Sequence, residues 1–164
     1  MNHRIPGLVL ILVLSAACVR EPPPPVELQV GGQRFSVVIP EGWERLDYGD
    51  IHHFRRGIDR ISIEEAGGAP DKALRRLGEY ERRDIASRTP IQIGSQEGLI
   101  VDTWDRLSHQ YRKRFCFVQG NGPLLVVYMK QGRFEDLQPD FDALVASIAF
   151  ADSTTQAVGD SQPQ

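Results

Sequence analysis

Val26-Glu27-Leu28-Gln29-Val30 alternates apolar and polar side chains, and Gly31-Gly32 interrupts it. Arg34-Phe35-Ser36-Val37-Val38-Ile39 resumes the extended pattern, until Pro40-Glu41-Gly42-Trp43 ends it. Two segments of period two, joined by two residues that accept positive φ, predict a β-hairpin. The segments that follow are of the same kind. Ile51 to Arg56 and Arg60 to Glu64 flank the turn Gly57-Ile58-Asp59, and Ile91 to Ile93, Leu99 to Trp104, Tyr111 to Val118 and Leu124 to Met129 read as further strands. Gly120-Asn121-Gly122-Pro123 turns the last two back on each other. Leu124 to Met129 is apolar on both faces, which predicts a sheet centre covered on both sides.

Two segments break the period. From Asp71 to Ser87, Leu74, Leu77, Glu81 and Ile85 fall on one stripe and Arg75, Arg76, Arg82 and Arg83 on the other, which predicts an amphipathic helix. After Thr89-Pro90 the sheet resumes. Pro139 is read as opening a second helix, with Phe141, Leu144, Val145 and Ile148 at the i, i+3, i+4 and i+7 positions of a core-facing stripe. Strands joined by tight turns, with few helices between them, predict the α+β class: an antiparallel meander sheet covered by two helices. Phe35 to Ile39 running into Pro40-Glu41-Gly42-Trp43, and the closing Phe141 to Phe150 segment, resemble the PsbP-like superfamily. The resemblance spans nearly all of Val26 to Phe150 and implies an α/β/α sandwich. Its members range from photosystem II extrinsic subunits to many bacterial lipoproteins, with no shared catalytic set, so it implies an architecture and no activity.

Outward from the domain, the amino terminus carries its own signal. Met1 to Arg4 is positive, Ile5 to Leu14 is almost wholly apolar, and Ser15-Ala16-Ala17 precedes Cys18. Charge, a short apolar run and small residues make a secretory signal peptide over residues 1–17, too short to span hydrocarbon as a helix. The Leu14 to Cys18 segment resembles the lipobox of bacterial lipoproteins. That resemblance implies cleavage between Ala17 and Cys18, a diacylglyceryl group on the Cys18 sulfur, and a protein held on a bilayer by two or three acyl chains. Val19 after the cysteine points by analogy to the periplasmic face of the outer membrane. Ordinary signal cleavage at the same bond is the alternative, leaving Cys18 a free thiol able to pair with Cys116. Residues 18–25 are the lipidated cysteine and a tether whose four prolines, Pro22 to Pro25, favour a stiff extended rod. Residues 26–150 are the globular domain, and 151–164 are small, polar and without apolar period, a disordered tail.

Composition narrows the function classes. The chain has 164 residues, 25% charged, with a formal net charge of −3 and two cysteines. These values exclude a disulfide scaffold and give no electrostatic ground for a nucleic-acid partner. No catalytic residue, cofactor or metal is expected. His52 and His53 are strand neighbours pointing to opposite faces, His109 sits in a polar turn, and Cys116 between Phe115 and Phe117 reads as a buried hydrophobe. Arg106, Arg112, Lys113 and Arg114 cluster around one turn and form a tentative basic surface, facing anionic lipid or an acidic partner. The expectation is a monomeric, membrane-anchored envelope lipoprotein: a non-enzymatic binding module for another envelope protein, its identity open. The alternatives are a carrier of a small apolar ligand between sheet and helix, in a pocket of some 300 Å³ or more, and a hydrolase assembled only in three dimensions.

Overall fold

The structure, a computed structural model, describes residues 23–79, 83–107 and 112–151. The signal segment, Cys18, His109 and the tail beyond Ala151 lie outside the described residues. Strands β1 (Val26–Val30) and β2 (Gln33–Val37) form the expected hairpin, with Val26 opposite Val37 and Val30 opposite Gln33. Gly31 and Gly32 have φ of +56° and +81°, so the turn needs the freedom that glycine supplies. The short strand β10 (Ala149–Phe150) adds to the free side of β2, completing a three-stranded sheet.

The second sheet has seven strands, all paired antiparallel: β3 (Glu44–Tyr48), β4 (Ile51–Arg56), β5 (Asp59–Glu65), β6 (Arg83–Ile93), β7 (Gln96–Asp105), β8 (Arg112–Val118) and β9 (Leu125–Gln131). Their order is β3-β4-β5-β9-β8-β7-β6. This departs from a single meander. Two meanders, β3 to β5 and β6 to β9, are joined where β9 returns beside β5. Helix α1 (Pro70–Arg76) lies on one face, and α2 (Phe134–Ala146) with the small sheet covers the other. Val126 and Val127 of β9 are both fully buried, each facing a different core, as a doubly covered centre requires.

Three expectations are corrected. The helix predicted over Asp71 to Ser87 ends at Arg76. Gly78 at φ +72° sends its N–H back to the Arg75 carbonyl, a left-handed stop that periodicity alone cannot see. Arg83 is already in β6, and Ile85 reaches the α1 cluster from a strand instead of a helix. β6 also runs straight through Pro90. That is possible because β6 is the outermost strand, and an edge strand tolerates proline where the N–H would face solvent instead of the neighbouring strand. The second helix starts at Phe134, with Pro139 inside it on the exposed side. Its stripe is as expected, with Phe141, Leu144, Val145 and Ile148 all at most 4% exposed.

Candidate functional site

The strand registers give the large sheet two distinct ends. At one stand the Gly57-Ile58 turn and the start of α2. At the other stand the Gly31-Gly32 turn, the end of β5 and the β8–β9 turn. A groove of about 690 Å³ opens at this second end, beside α1. Leu99 of β7 and Phe117 of β8, direct cross-strand partners, form its apolar floor. They lie on the face that α1 covers further along, at Val101 and Phe115. Because α1 has only seven residues, this part of the face stays open. Gln119 and Pro123 form one wall, and the Gln119 side-chain amide donates to the Gly122 carbonyl at 2.8 Å, pinning the turn. Glu65 and Glu97 stand at the rim, and neither carboxylate meets a cation among the described residues. The groove can hold an apolar side chain on its floor and a polar or cationic group at its edge.

A smaller cleft of about 390 Å³ lies on the other face between β6 and α2. Ile91, Ile93, Ile100 and Val145 line it, but Arg114 crosses it with both of its carboxylate partners. Arg114 donates from Nε and Nη2 to the two oxygens of Asp102 at 2.9 and 3.1 Å, and from Nη1 to Asp142 on α2 at 2.9 Å. Asp102 and Asp142 hold the guanidinium firmly in its charged form. Arg112, two residues away on the same face, lies over the rings of Trp104 at 4.8 Å and Phe134 at 4.4 Å. Lys113 points to the opposite face and bonds Glu79 at 2.8 Å, and Arg106 bonds Asp84 at 2.7 Å. The four cations that the sequence groups together are thus divided between two faces and a turn, each facing a carboxylate. Arg112 and Arg114 fasten α2 to the sheet.

Other polar side chains form local networks. His53 Nδ1 lies 2.7 Å from the Ser62 hydroxyl, and the Tyr128 hydroxyl donates to Glu64 at 3.3 Å, with Arg76 of α1 on the other oxygen of that carboxylate at 2.5 Å. Burial, helped by the charge of Lys130, lowers the His53 pKa below the ordinary histidine value. Burial also pushes the Tyr128 hydroxyl up to about 12. His52, on the opposite face, sits between the Asp47 carboxylate at 2.8 Å and the Gln29 carbonyl at 2.9 Å, tying β1 to the large sheet. Among the described residues, no three His, Cys, Asp or Glu side chains converge as a metal cluster.

Cys116 is fully buried between the two helical layers, and burial raises its thiol pKa to about 12. A thiol so placed is unreactive. With Cys18 changed to serine, Ellman's reagent at mildly alkaline pH is expected to detect no thiol in the folded protein and one after denaturation. Stoichiometric reaction without denaturant would contradict the burial.

The sequence reading missed three residues at the first end of the sheet. Arg60 on β5 and Lys130 on β9 both bear on His53 electrostatically, and neither has a carboxylate partner among the described residues. Ile58, in the turn before β5, is 71% exposed. Arg60 and Lys130 are 70 positions apart in sequence and become neighbours through the β5–β9 pairing, which has no local signal. The exposed Ile58 was visible in principle, as an apolar residue within the glycine turn.

The chain matches no protein-family model, and no curated protein matches its sequence. Its fold is similar to that of a solved structure, cyanobacterial PsbP (CyanoP) from Synechocystis sp. PCC 6803. The TM-score is 0.52 at 14% identity, over 71% of this chain and 86% of that one. The domain therefore has the PsbP-like fold.

Proposed function

We propose that this protein is an envelope lipoprotein, anchored through Cys18 and serving as a non-enzymatic accessory module that binds another envelope protein in the groove beside α1. The observation that carries the reading is the position of that groove. β1 enters the domain at Val26, beside Val37, and ends at the Gly31-Gly32 turn. That turn packs against Glu65 and Pro123 of the groove wall. The strand thus carries the chain about 17 Å, at roughly 3.3 Å per residue, from the tethered side to the groove. A groove facing away from its anchor is available to a neighbour on the same membrane, and confinement in two dimensions raises the effective concentration of that neighbour.

A carrier of apolar ligands is less well supported. The cleft under α2 is crossed by the charged Arg114 with Asp102 and Asp142, and an apolar guest would have to desolvate this trio. The groove beside α1 is open at the surface, whereas a drug-sized ligand usually has most of its area enclosed.

The test is photo-crosslinking in intact cells with a benzophenone amino acid at exposed Glu97. The same label at exposed Arg106 serves as the reference, and the mass of the mature amino-terminal peptide is measured in the same preparation. A discrete adduct from position 97 and not from 106, together with a diacylglyceryl mass on Cys18, is the expected result. Absence of any adduct, or the same adducts from both positions, would overturn the groove reading. An unmodified Cys18 would overturn the anchor.

A further inference from the structure

We infer that the end of the domain carrying Ile58, Arg60 and Lys130 is a docking surface for an anionic lipid bilayer. The first ground is charge. Most arginines in this protein are neutralised by a named carboxylate: Arg55 by Glu44, Arg56 by Asp140, Arg76 by Glu64 and Arg106 by Asp84. Among the described residues, Arg60 and Lys130 have no such partner. Arg60 reaches only the Gly57 carbonyl, at 3.4 Å, and Lys130 is exposed. Of the acidic groups near them in the chain, two are engaged elsewhere, and exposed Glu135 still leaves the cations in excess. Asp59 lies against Arg56 at 3.5 Å, and Asp136 against Arg133 at 3.6 Å. Two uncompensated cations at one end are complementary to the negative surface of an anionic leaflet.

The second ground is apolar exposure at the same end. Ile58 tips the β4–β5 turn and Leu107, 96% exposed, follows β7 into the β7–β8 connection. The sheet order places β9 and β8 between β5 and β7. The two tips are therefore about three strand spacings apart, on the order of 14 Å. Two separated apolar prongs beside cations fit a plane into which each can insert shallowly. A single protein groove would enclose only one of them.

The third ground is the route of the chain. From Val37, opposite Val26, the chain runs through Pro40 to Trp43, whose ring lies under Arg56 at 4.9 Å and whose Nε1 donates to Asp140. Arg56 immediately precedes the Gly57-Ile58 turn. The entry point at Val26 is thus on the Ile58 side of the molecule. Eight residue steps lead from Cys18 to Val26, a reach of about 25 Å at the rise of a polyproline rod. The orientation rests on the anchored reading; the lipid contact itself does not.

The experiment is sedimentation of the chain from residue 18, carrying Cys18→Ser so that no anchor contributes. It uses vesicles of phosphatidylcholine alone or with one-third phosphatidylglycerol. Binding to the anionic vesicles only, weakening as salt rises, is expected. Arg60→Gln with Lys130→Gln should reduce it about 25-fold, roughly fivefold for each cation. Ile58→Ser should reduce it further without changing the salt dependence. Lys72→Gln removes the same charge from α1 and should leave binding unchanged. No preference for anionic vesicles would overturn the proposal, as would an equal loss from Lys72→Gln. Glycerol phosphate in solution binding as tightly as the vesicles would also overturn it, marking a small-anion site. Any of these leaves the Cys18 anchor and the groove standing, because those are read out by peptide mass and crosslinking in cells.

Discussion

Arg114→Ala is expected to lower the unfolding free energy by about 3–5 kcal/mol, the range seen when one partner of a buried ion pair is removed. Asp102 is 5% exposed, and both of its oxygens accept from the Arg114 guanidinium. Without that guanidinium the carboxylate keeps only a long contact to the Ser87 hydroxyl at 3.4 Å and the Arg112 guanidinium at 3.8 Å. Nearly all of the loss comes from leaving a charge dry and unpaired. A second change that removes the charge should therefore restore part of it. Urea unfolding of Arg114→Ala, Asp102→Asn and the double variant closes the cycle. The double variant is expected to be more stable than Arg114→Ala alone. If the single and double variants were equally unstable, the account of an orphaned carboxylate would be wrong. The same substitution also removes the Arg114–Asp142 bond between β8 and α2, leaving Arg112 over Phe134 and the apolar packing to hold the helix.

Phe141→Ala should cost a comparable amount, about 3–5 kcal/mol, for a different reason. Phe141 has no exposed surface, and it belongs to the larger apolar cluster with Phe54, Ile61, Met129 and Leu137. Truncation loses the transfer free energy of the ring and leaves a cavity that the sheet above cannot collapse to fill. For a domain of this size the midpoint of thermal unfolding should fall by more than about 10 °C. The helix itself should persist until the domain unfolds, since its stability comes from docking more than from propensity. A cooperative unfolding transition shifted down by that amount, seen at the same temperature by far- and near-ultraviolet circular dichroism, is the expected observation. A shift of a degree or two would mean that α2 is not held by this side chain.

The parts of the fold legible in the sequence are those whose cause is local. The β1–β2 hairpin declares itself by alternation around a diglycine, and α2 by its apolar stripe. The end of α1 was not legible, because Ile85 continues the helical spacing of Leu74 and Leu77 by coincidence. A single glycine conformation overrides that spacing. Pro90 suggested a break for the same kind of reason. A proline inside a strand is a contradiction only if the strand has two neighbours, and strand order is a tertiary fact. The site was harder still. Arg112, Lys113 and Arg114 look like one basic patch along the chain, yet strand geometry turns the middle one to the other face. The carboxylates that meet them, Asp102, Glu79 and Asp142, come from elsewhere. The groove likewise draws its floor and rim from β5, β7, β8 and the β8–β9 turn, and none of these announces a site alone.

Pro90 carries one further consequence. Proteins confined to a sheet of lipid meet their own copies far more often than proteins free in solution, and an unprotected β-edge is the usual place for such encounters to become permanent. β6 is an eleven-residue margin, long enough to zip onto a twin, but one of its rungs has no hydrogen to offer. The opposite margin, β3, is five residues long and carries Glu44, Arg45 and Asp47. On the proposed anchored reading, a crowded leaflet therefore finds neither margin of the large sheet ready to polymerise.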